Sequence, residues 1–224
     1  SARPHLIIGL LNIWKTRAKC WDNVEVVLVT DEAFDERFPN MIPVVNSGRR
    51  DCVTGWNLAA SNATGDMFVQ VSDDLFPPQH WDEILVTIAG DTADYSLQLA
   101  DERGLRDCVL HPVVSRSVYE HFGYLYPPDF RSVYCDDWLY YAHRQAGFLR
   151  SIAGERFWNH VHRTTHSVTV DDVLLQHESH ERHAAGREAL ARALAKPGVR
   201  RDSYPAGSST TGQPAGRVHR SAHA

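Results

Sequence analysis

At 224 residues, with 43% hydrophobic and 23% charged side chains, the chain is long enough for one well-buried α/β domain and too short for two full ones. Its net charge of −5 argues against a nucleic-acid partner, because phosphate binding needs a concentrated basic face. No apolar run approaches the roughly 18 residues that span a bilayer, and we predict no signal peptide. Four scattered cysteines without a C-x-x-C pair predict reduced thiols and a cytoplasmic location.

The first sixty residues contain two helix patterns and two strand patterns. Apolar residues spaced along one face over 6–14 predict a helix. The β-branched run 24–30 predicts a buried strand that ends on Asp31, and 43–46 predicts a second, shorter strand. Apolar spacing over 52–63 predicts another helix. An acidic residue is therefore expected at the end of the first strand.

A third strand leads into an acidic pair. We expect the preceding helix to be closed by Gly65 in the left-handed conformation. The apolar run 67–71 predicts a strand that continues directly into Asp73 and Asp74. After two prolines, apolar residues over 81–88 predict the next helix.

The remaining elements continue the alternation of strands and helices. Strands are predicted at 95–99, 108–114 and 149–153, and helices at 115–122 and 136–146. This order predicts an α/β fold in which a mixed, mostly parallel sheet carries helices on both faces. Because ligands of such sheets bind beyond the carboxyl ends of the strands, we expect the site there.

The chain divides into one domain and a tail. We assign residues 1–196 to the domain. After residue 196 the composition shifts to Gly, Ser, Thr, Pro, Arg and Ala, with almost no large apolar residues. Such a segment buries too little apolar surface to offset its ordering entropy, so 197–224 is predicted to be a disordered tail.

The stretch 46–78 contains a recognisable series of motifs. In order, these are Asn46-Ser47-Gly48, Trp56-Asn57, Ala63-Thr64-Gly65-Asp66, an apolar strand, and Ser72-Asp73-Asp74 before Pro77. The series resembles the nucleotide-binding half of family 2 glycosyltransferases and related GT-A enzymes. The resemblance implies a single GT-A domain and a hexosyl- or related transferase. The nucleotide-sugar contacts that it implies are Asp31, Asn46, Gly48, Asn57 and Asp73.

An acidic motif suits a reaction in which a nucleoside diphosphate leaves. Its negative charges are neutralised by Mn²⁺ or Mg²⁺ as the bond between sugar and oxygen breaks. Such an ion prefers carboxylate and phosphate oxygens, and one or two protein carboxylates suffice. The resemblance implies that Asp73 faces the ribose or sugar and that Asp74 binds the ion. In isolation, the pair also fits a solvated turn before a proline.

A second block resembles the acceptor half of the same family. It runs from His111-Pro112 through Phe122-Gly123-Tyr124 to Cys135-Asp136-Asp137-Trp138. In inverting members, an acidic pair at the start of a helix carries the general base. The resemblance implies inverting transfer with Asp137 as the base and Asp136 as the helix cap. A purely structural role for both stays open, because carboxylates at a helix start also satisfy free N–H groups.

Late histidines complete the set of metal candidates. GT-A enzymes often use such a histidine, and His160 and His162 share one face of a predicted strand. A separate run (His177, His180 and His183) places imidazoles three residues apart, although it is not an H-E-x-x-H motif. A metal-dependent hydrolase is therefore one alternative function. A domain that binds a nucleotide sugar without turnover is another.

The resemblance also predicts ligands and a missing element. The expected donor is a UDP- or GDP-sugar, and the acceptor is a glycan, a lipid or a small molecule. Family members usually open with a strand that ends in a Pro-containing turn. Only Ser1-Ala2-Arg3-Pro4 resembles the end of that turn, so we expect the first strand to be missing.

Overall fold

The computed structural model describes residues 4–154, 156–161 and 179–195. Within these residues, the helices are α1 (Pro4–Arg17), α2 (Cys52–Asn62), α3 (Trp81–Ala89), α4 (Arg116–Phe122), α5 (Cys135–Gln145) and α6 (His180–Ala195). The strands are β1 (Val26–Thr30), β2 (Met41–Val45), β3 (Met67–Val69), β4 (Leu75–Phe76), β5 (Ser96–Leu99), β6 (Val113–Ser115), β7 (Leu149–Ile152) and β8 (Asn159–His160). None of the described helices is long and apolar enough to cross a membrane. The tail predicted at 197–224 lies outside the described residues.

The strands form three hydrogen-bonded groups. A central sheet has the order β3-β6-β5-β7, β1 pairs in parallel with β2, and β4 pairs antiparallel with β8. The predicted α/β class and mixed sheet are confirmed. The parallel share is lower than expected, because two of the described pairings are parallel and three are antiparallel. The reason is local: β6 follows β5 through a loop without a crossover helix, so it returns antiparallel.

Helices pack on both faces of the central sheet, as predicted. Adjacent residues of a strand point to opposite faces, and on β6 Val113 and Val114 belong to separate hydrophobic clusters. Val113 packs with α1 and α3, where Trp14 and Leu85 are buried. Val114 packs with α4 and α5, where Val118 is fully buried. The central sheet therefore lies between two hydrophobic cores.

Indole groups hold the segment that follows Asp74. The Trp14 Nε1–H donates to the carbonyl of Leu75 at 3.0 Å, and the Trp81 Nε1–H donates to the carbonyl of Trp14 at 3.0 Å. The rings of Trp14 and Trp81 meet edge to face at 4.9 Å, and Trp158 lies 5.8 Å from Trp14. Helices α1 and α3 therefore position β4 and the acidic motif before it.

The end of α2 differs from the prediction. The helix ends at Asn62, Ala63 takes an extended conformation, and Gly65 has no positive φ, so the left-handed cap predicted at Gly65 is wrong. The Arg116 guanidinium donates to the carbonyls of Ala63 (3.0 Å) and Gly65 (2.6 Å). A distant side chain thus holds the segment that follows α2 through its main-chain carbonyls.

The strand predicted at 108–114 is also shorter than expected. Only Val113–Ser115 pairs in the sheet, and the residues before it form a loop. The Gln98 amide holds this loop by donating to the carbonyls of Arg106 and Cys108, the latter at 2.9 Å. Ser151 in turn donates to the Gln98 amide oxygen at 2.6 Å. The segment between β5 and β6 is therefore an anchored loop.

Candidate active site

The antiparallel pairing of β4 and β8 brings Asp74 to His160. Leu75 pairs with His160, and the Val161 N–H donates to the Asp74 carbonyl at 2.8 Å. The two side chains, 86 residues apart in sequence, meet with His160 Nε2 at 3.2 Å from Asp74 Oδ2. The Ser72 hydroxyl donates to the other oxygen, Asp74 Oδ1, at 2.5 Å. Two residues that we predicted as metal ligands therefore lie side by side.

Two further carboxylates, which the sequence did not indicate, contact His160. Asp101 Oδ2 lies 3.8 Å from His160 Nδ1, an ion-pair distance. The Glu102 carboxylate accepts from the main-chain N–H of His160 at 3.0 and 3.1 Å. Both residues follow β5, so they stand at a strand end like Asp74. Their position after a strand could have marked them as candidate site residues, but the Asp101-Glu102-Arg103-Gly104 sequence resembles an ordinary turn.

His111, to which the sequence analysis gave no individual role, is a third residue in contact with His160. Its ring meets the His160 ring edge to face, with the centroids 4.5 Å apart and the planes at 86°. The side chain is buried, and neither ring nitrogen has a hydrogen-bond partner within the described residues. A buried polar group without a hydrogen-bond partner costs about 1–3 kcal/mol.

The charges of this cluster reinforce one another. Burial alone would lower the pKa of His160, but the carboxylates of Asp101 and Asp74 outweigh it and raise the pKa to about 9. Burial alone would raise the pKa of Asp74 and of Asp101, but His160 outweighs it in both cases and each pKa falls to about 2. Burial lowers the pKa of His111 to about 3, with the His160 charge adding to the effect. At neutral pH the cluster thus holds two carboxylates, a charged His160 and a neutral His111.

The acidic pair predicted at the start of α5 is present there, but not with the predicted cap. The N-cap is Tyr134, which has a left-handed backbone (φ 70°), and α5 begins at Cys135. The prediction that Asp136 caps the helix is therefore wrong, because Asp136 lies inside the first turn. Burial raises the pKa of Asp136 to about 6, with the Asp137 charge adding to it, and burial raises the pKa of Asp137 as well.

The loop between β5 and β6 connects the acidic pair to the histidine cluster. The Val109 N–H donates to the Asp136 carbonyl at 3.1 Å. Arg106 lies 3.8 Å from Asp101, and its charge opposes in part the rise that burial causes in the pKa of Asp137. Asp101, Arg106 and His111 line a small cavity of about 10 Å³. One loop therefore contacts both groups of ionisable residues.

Three of the predicted donor contacts come together at the ends of β1 and β2. The Asn46 side-chain amide donates to Asp31 at 3.0 Å, and its oxygen accepts from the Gly48 N–H at 2.9 Å. A Cβ on Gly48 would lie 3.3 Å from that oxygen, so a larger residue there would require the Asn46 side chain to shift. Because the two strands are parallel, both end at the same edge, as the sequence pattern implied.

The remaining predicted residues lie in different surroundings. The Asn57 amide donates to the Tyr126 carbonyl at 2.6 Å and accepts from the N–H groups of Leu125 and Tyr126 at 3.0 and 2.9 Å. It therefore holds the loop before α5, and its direct contact with a donor stays a prediction. Asp73 is half-buried beside Asp74. His162 lies outside the described residues.

The donor atoms near Asp74 are of the kind that a divalent ion accepts. Carboxylate oxygen and imidazole nitrogen both suit Mn²⁺, and Asp74 and His160 present them 3.2 Å apart. Across residues 4–154, 156–161 and 179–195, no three His, Cys, Asp or Glu side chains are grouped to hold an ion. The pair thus fits a site that further oxygen ligands, such as those of a diphosphate, would complete.

The histidines of α6 have another contact. The His183 ring meets the Tyr134 ring edge to face at 5.9 Å, and His180 is exposed. His177 lies outside the described residues. Within the described part of α6 no metal-binding group is present, so the structure adds nothing to the alternative of a zinc-dependent hydrolase.

The fold is similar to those of solved structures, although the sequence alone matches no known family. No protein-family model matches the chain, and no curated protein is similar to it in sequence. Solved structures do match. A mannosyltransferase from Pyrobaculum calidifontis, in complex with GDP-Man and Mn²⁺, is 18% identical with a TM-score of 0.52, covering 67% of this chain and 51% of its own. Residues 1–349 of TarS from S. aureus are 12% identical with a TM-score of 0.57, covering 71% of this chain and 58% of theirs.

A third match covers more of both chains. The catalytic domain of Drosophila β1,4-galactosyltransferase 7, in complex with xylobiose, is 12% identical with a TM-score of 0.55, covering 89% of this chain and 79% of its own. The chain thus spans about half of the mannosyltransferase and under two thirds of the TarS fragment. At these identities the likeness concerns the fold. The chain has a GT-A-like glycosyltransferase fold.

Proposed function

We propose that this chain transfers a sugar from a nucleoside-diphosphate sugar to an acceptor hydroxyl, with a divalent metal ion and inversion at the sugar carbon. The contact between Asp74 and His160 carries the proposal, because it gathers two metal-binding groups where the strands end. The matching structures support it. They include β1,4-galactosyltransferase 7 with manganese, UDP-Gal and xylobiose, and TarS with UDP-GlcNAc. A UDP- or GDP-sugar donor is therefore our expectation here.

Asp74, His160 and His162 would hold the metal. Bound Mn²⁺ or Mg²⁺ would offset the negative charge of the departing diphosphate. Asp74 is already ionised at neutral pH, since its pKa is about 2. His160 binds a metal only as neutral imidazole, so loading the site requires it to release the proton that it shares with Asp74. Metal affinity should accordingly rise with pH up to about 9, where the metal-free His160 loses its proton.

The donor would lie along the carboxyl edge of the sheet. Asp31, Asn46 and Gly48 form one linked group there, and Asp73 stands beside the metal-binding Asp74. Asn57 would act on the other side of the site by holding the backbone at 125–126. A conventional phosphate loop would not be required, because a metal held by Asp74 and His160 would offset the negative charge of the diphosphate.

The acidic pair of α5 would supply the general base. A hydroxyl is a poor nucleophile at neutral pH, so a carboxylate must take its proton as the new bond forms. The sequence resemblance implied Asp137. The surroundings favour Asp136, because its pKa of about 6 is closer to the neutral range in which general bases work best. We therefore assign the general base to the pair of Asp136 and Asp137, and we expect the transfer rate to depend more on Asp136.

Metal-dependent nucleotide binding tests the proposal directly. The melting temperature would be measured with UDP, GDP, CDP or dTDP, each with and without Mn²⁺. A ligand at a hundred times its dissociation constant stabilises a protein by about 2.7 kcal/mol. One nucleotide should raise the melting temperature only with Mn²⁺, and Asp74→Ala should abolish that rise. Asp91→Ala, which removes an exposed carboxylate after α3, is the matched control and should bind normally.

The proposal fails if no nucleotide stabilises the wild-type protein with Mn²⁺, or if Asp74→Ala binds as tightly as wild type. Transfer is tested separately by supplying the donor whose nucleotide binds, together with a panel of glycan acceptors. Tight binding without release of the nucleoside diphosphate would favour a domain that binds nucleotide sugars without turnover.

A further inference from the structure

His160 lies between two carboxylates that approach different nitrogens of its ring. Asp74 lies on the Nε2 side at 3.2 Å, and Asp101 lies on the Nδ1 side at 3.8 Å. The ring is buried in this position, with the His111 ring against it. We propose that Asp101 is a positioning residue, which keeps the Nδ1 proton of His160 in place and so directs Nε2 toward Asp74 and the metal. The inference rests on the proposed metal site but concerns a residue outside it.

Asp101 is itself held rigidly enough for this role. The side chain is buried, and its Oδ1 accepts from the Arg103 main-chain N–H at 2.8 Å. The Gly104 N–H donates to the Asp101 carbonyl at 3.0 Å, which closes a tight turn directly after β5. Arg103 and Arg106 lie 3.5 and 3.8 Å from Oδ2. Within the described residues Oδ2 accepts no hydrogen bond, and it forms ion pairs with these two arginines and with His160 Nδ1.

The chemistry of histidine explains why the second carboxylate matters. A neutral imidazole carries one proton, on either nitrogen, and only the bare nitrogen can bind a metal. A carboxylate facing Nδ1 keeps the proton there and leaves Nε2 to the metal, and such outer partners typically contribute 10- to 100-fold in metal affinity. Without Asp101 the neutral His160 ring could instead carry its proton on Nε2, where it blocks the metal.

Asp101 and Glu102 offer a matched pair for separating this role from simple charge. Both carboxylates are adjacent in sequence and close to His160. Glu102, however, accepts from the main-chain N–H of His160 and not from its ring. Asp101→Asn and Glu102→Gln each remove one negative charge from the same turn. Only Asp101→Asn removes the charge that faces Nδ1 of the His160 ring.

The first experiment measures metal affinity. Mn²⁺ is titrated by electron paramagnetic resonance in the presence of whichever nucleotide, UDP or GDP, binds to the wild-type protein. We expect Asp101→Asn to weaken Mn²⁺ binding by about 10- to 100-fold. Glu102→Gln should change it only slightly, since the Glu102 side chain accepts from the main chain of His160 and does not face the ring that would bind the metal. Asp101→Glu, which keeps the carboxylate, should recover part of the affinity. Equal losses in Asp101→Asn and Glu102→Gln would overturn the positioning role.

The second experiment needs no metal. In metal-free protein labelled with ¹⁵N-histidine, the Nδ1 proton of His160, assigned by comparison with His160→Gln, should be protected from exchange with water. It should stay protected in Glu102→Gln and become fast-exchanging in Asp101→Asn, with the melting temperature recorded for both variants. If Asp101→Asn does not fold, Asp101→Glu serves for this measurement and should retain a protected proton. Unchanged protection in Asp101→Asn, or loss in a folded Asp101→Glu, would refute the inference. A wild-type protein with a protected Nδ1 proton that binds no Mn²⁺ would instead refute the proposed function.

Discussion

The two groups of aspartates in the site lie in opposite electrostatic surroundings. Around Asp74 and Asp101, His160 outweighs the effect of burial, and each pKa falls to about 2. In the α5 pair, burial is not outweighed, and the pKa of Asp136 rises to about 6. Carboxylates that stay ionised suit a cation, whereas a carboxyl that titrates near neutrality suits proton transfer. The two environments therefore suit the same residue type to different chemistry.

The largest effect that this comparison predicts is on turnover. Asp136→Asn should lower the transfer rate by about 10²–10⁴, the usual contribution of a general base, while leaving Mn²⁺-dependent nucleotide binding intact. Asp137→Asn should lower the rate less. Steady-state rates and nucleotide affinity of both variants provide the test. A greater loss in Asp137→Asn would restore the assignment implied by the sequence resemblance, and full activity in both would place the base elsewhere.

The next effect tests whether the acidic pair depends on α6. Gly186 packs so closely that a Cβ there would lie 2.7 Å from Tyr134 Cδ2 and 2.8 Å from the Val133 carbonyl, directly before α5. Gly186→Ala should therefore cost about 1–3 kcal/mol of unfolding free energy in urea titrations, and it should reduce turnover. Mn²⁺-dependent nucleotide binding should persist, because Asp74 and His160 lie on other elements.

A matched control for that substitution lies in α1. Gly9 is exposed, and a Cβ there would have no neighbour within 4 Å. Gly9→Ala should raise the unfolding free energy by about 0.5–1 kcal/mol, because alanine is the better helix former. If both glycine variants behave alike, the close packing of α6 against Tyr134 has no energetic consequence.

The opposite pKa shifts predict stability changes of opposite sign. The folded pKa of Asp74 is about 2, below the ordinary 3.8, so its ionised form stabilises the protein above pH 4 and this is lost as the pH falls through about 2. The folded pKa of Asp136 is about 6, above the ordinary 3.8. The stability contributed by its protonated carboxyl is therefore present below pH 4 and is lost as the pH rises through about 6.

Asn substitutions make this contrast measurable. At pH 7, Asp74→Asn should lower the free energy of unfolding and Asp136→Asn should raise it, each by about 1–2 kcal/mol. At pH 4 the gain from Asp136→Asn should nearly vanish. Urea denaturation at the two pH values provides the measurement. The electrostatic contrast would be contradicted if both substitutions shifted stability in the same direction at pH 7.

The smallest effect should come from the tail. Residues 197–224 have almost no large apolar side chains, so deleting 199–224 should leave the melting temperature nearly unchanged. Both groups of aspartates should keep their function in the shortened protein. A drop of many degrees would show that the tail packs on the domain, and it would break the prediction made from composition.

Local patterns were enough to predict much of the fold and the elements that carry Asp31, Asp74 and Asp136. The strand preceding Asp31, the strand preceding Asp74 and the helix beginning before Asp136 were all found close to their predicted positions. These predictions succeeded because period, β-branching and strand length are properties of short windows. The same windows predicted a left-handed cap at Gly65 that is not formed, and the segment after α2 is held instead by Arg116, which lies far along the chain.

By itself, the sequence determined the α/β class, the order of most elements up to residue 152 and the places of Asp31 and Asp74 after predicted strands, since each depends on neighbours within a few positions. Only the tertiary structure decided that His160 contacts Asp74 and that Asp101 and His111 contact the same imidazole ring. It also decided that the N-cap of α5 is Tyr134 and not Asp136. Those contacts depend on the register of β4 with β8 and on the path of the loop after β5. The pKa contrast between the two groups of aspartates also depends on burial and on charges from distant segments. Such properties exist only once the chain has folded, because water screens the same charges in an unfolded chain.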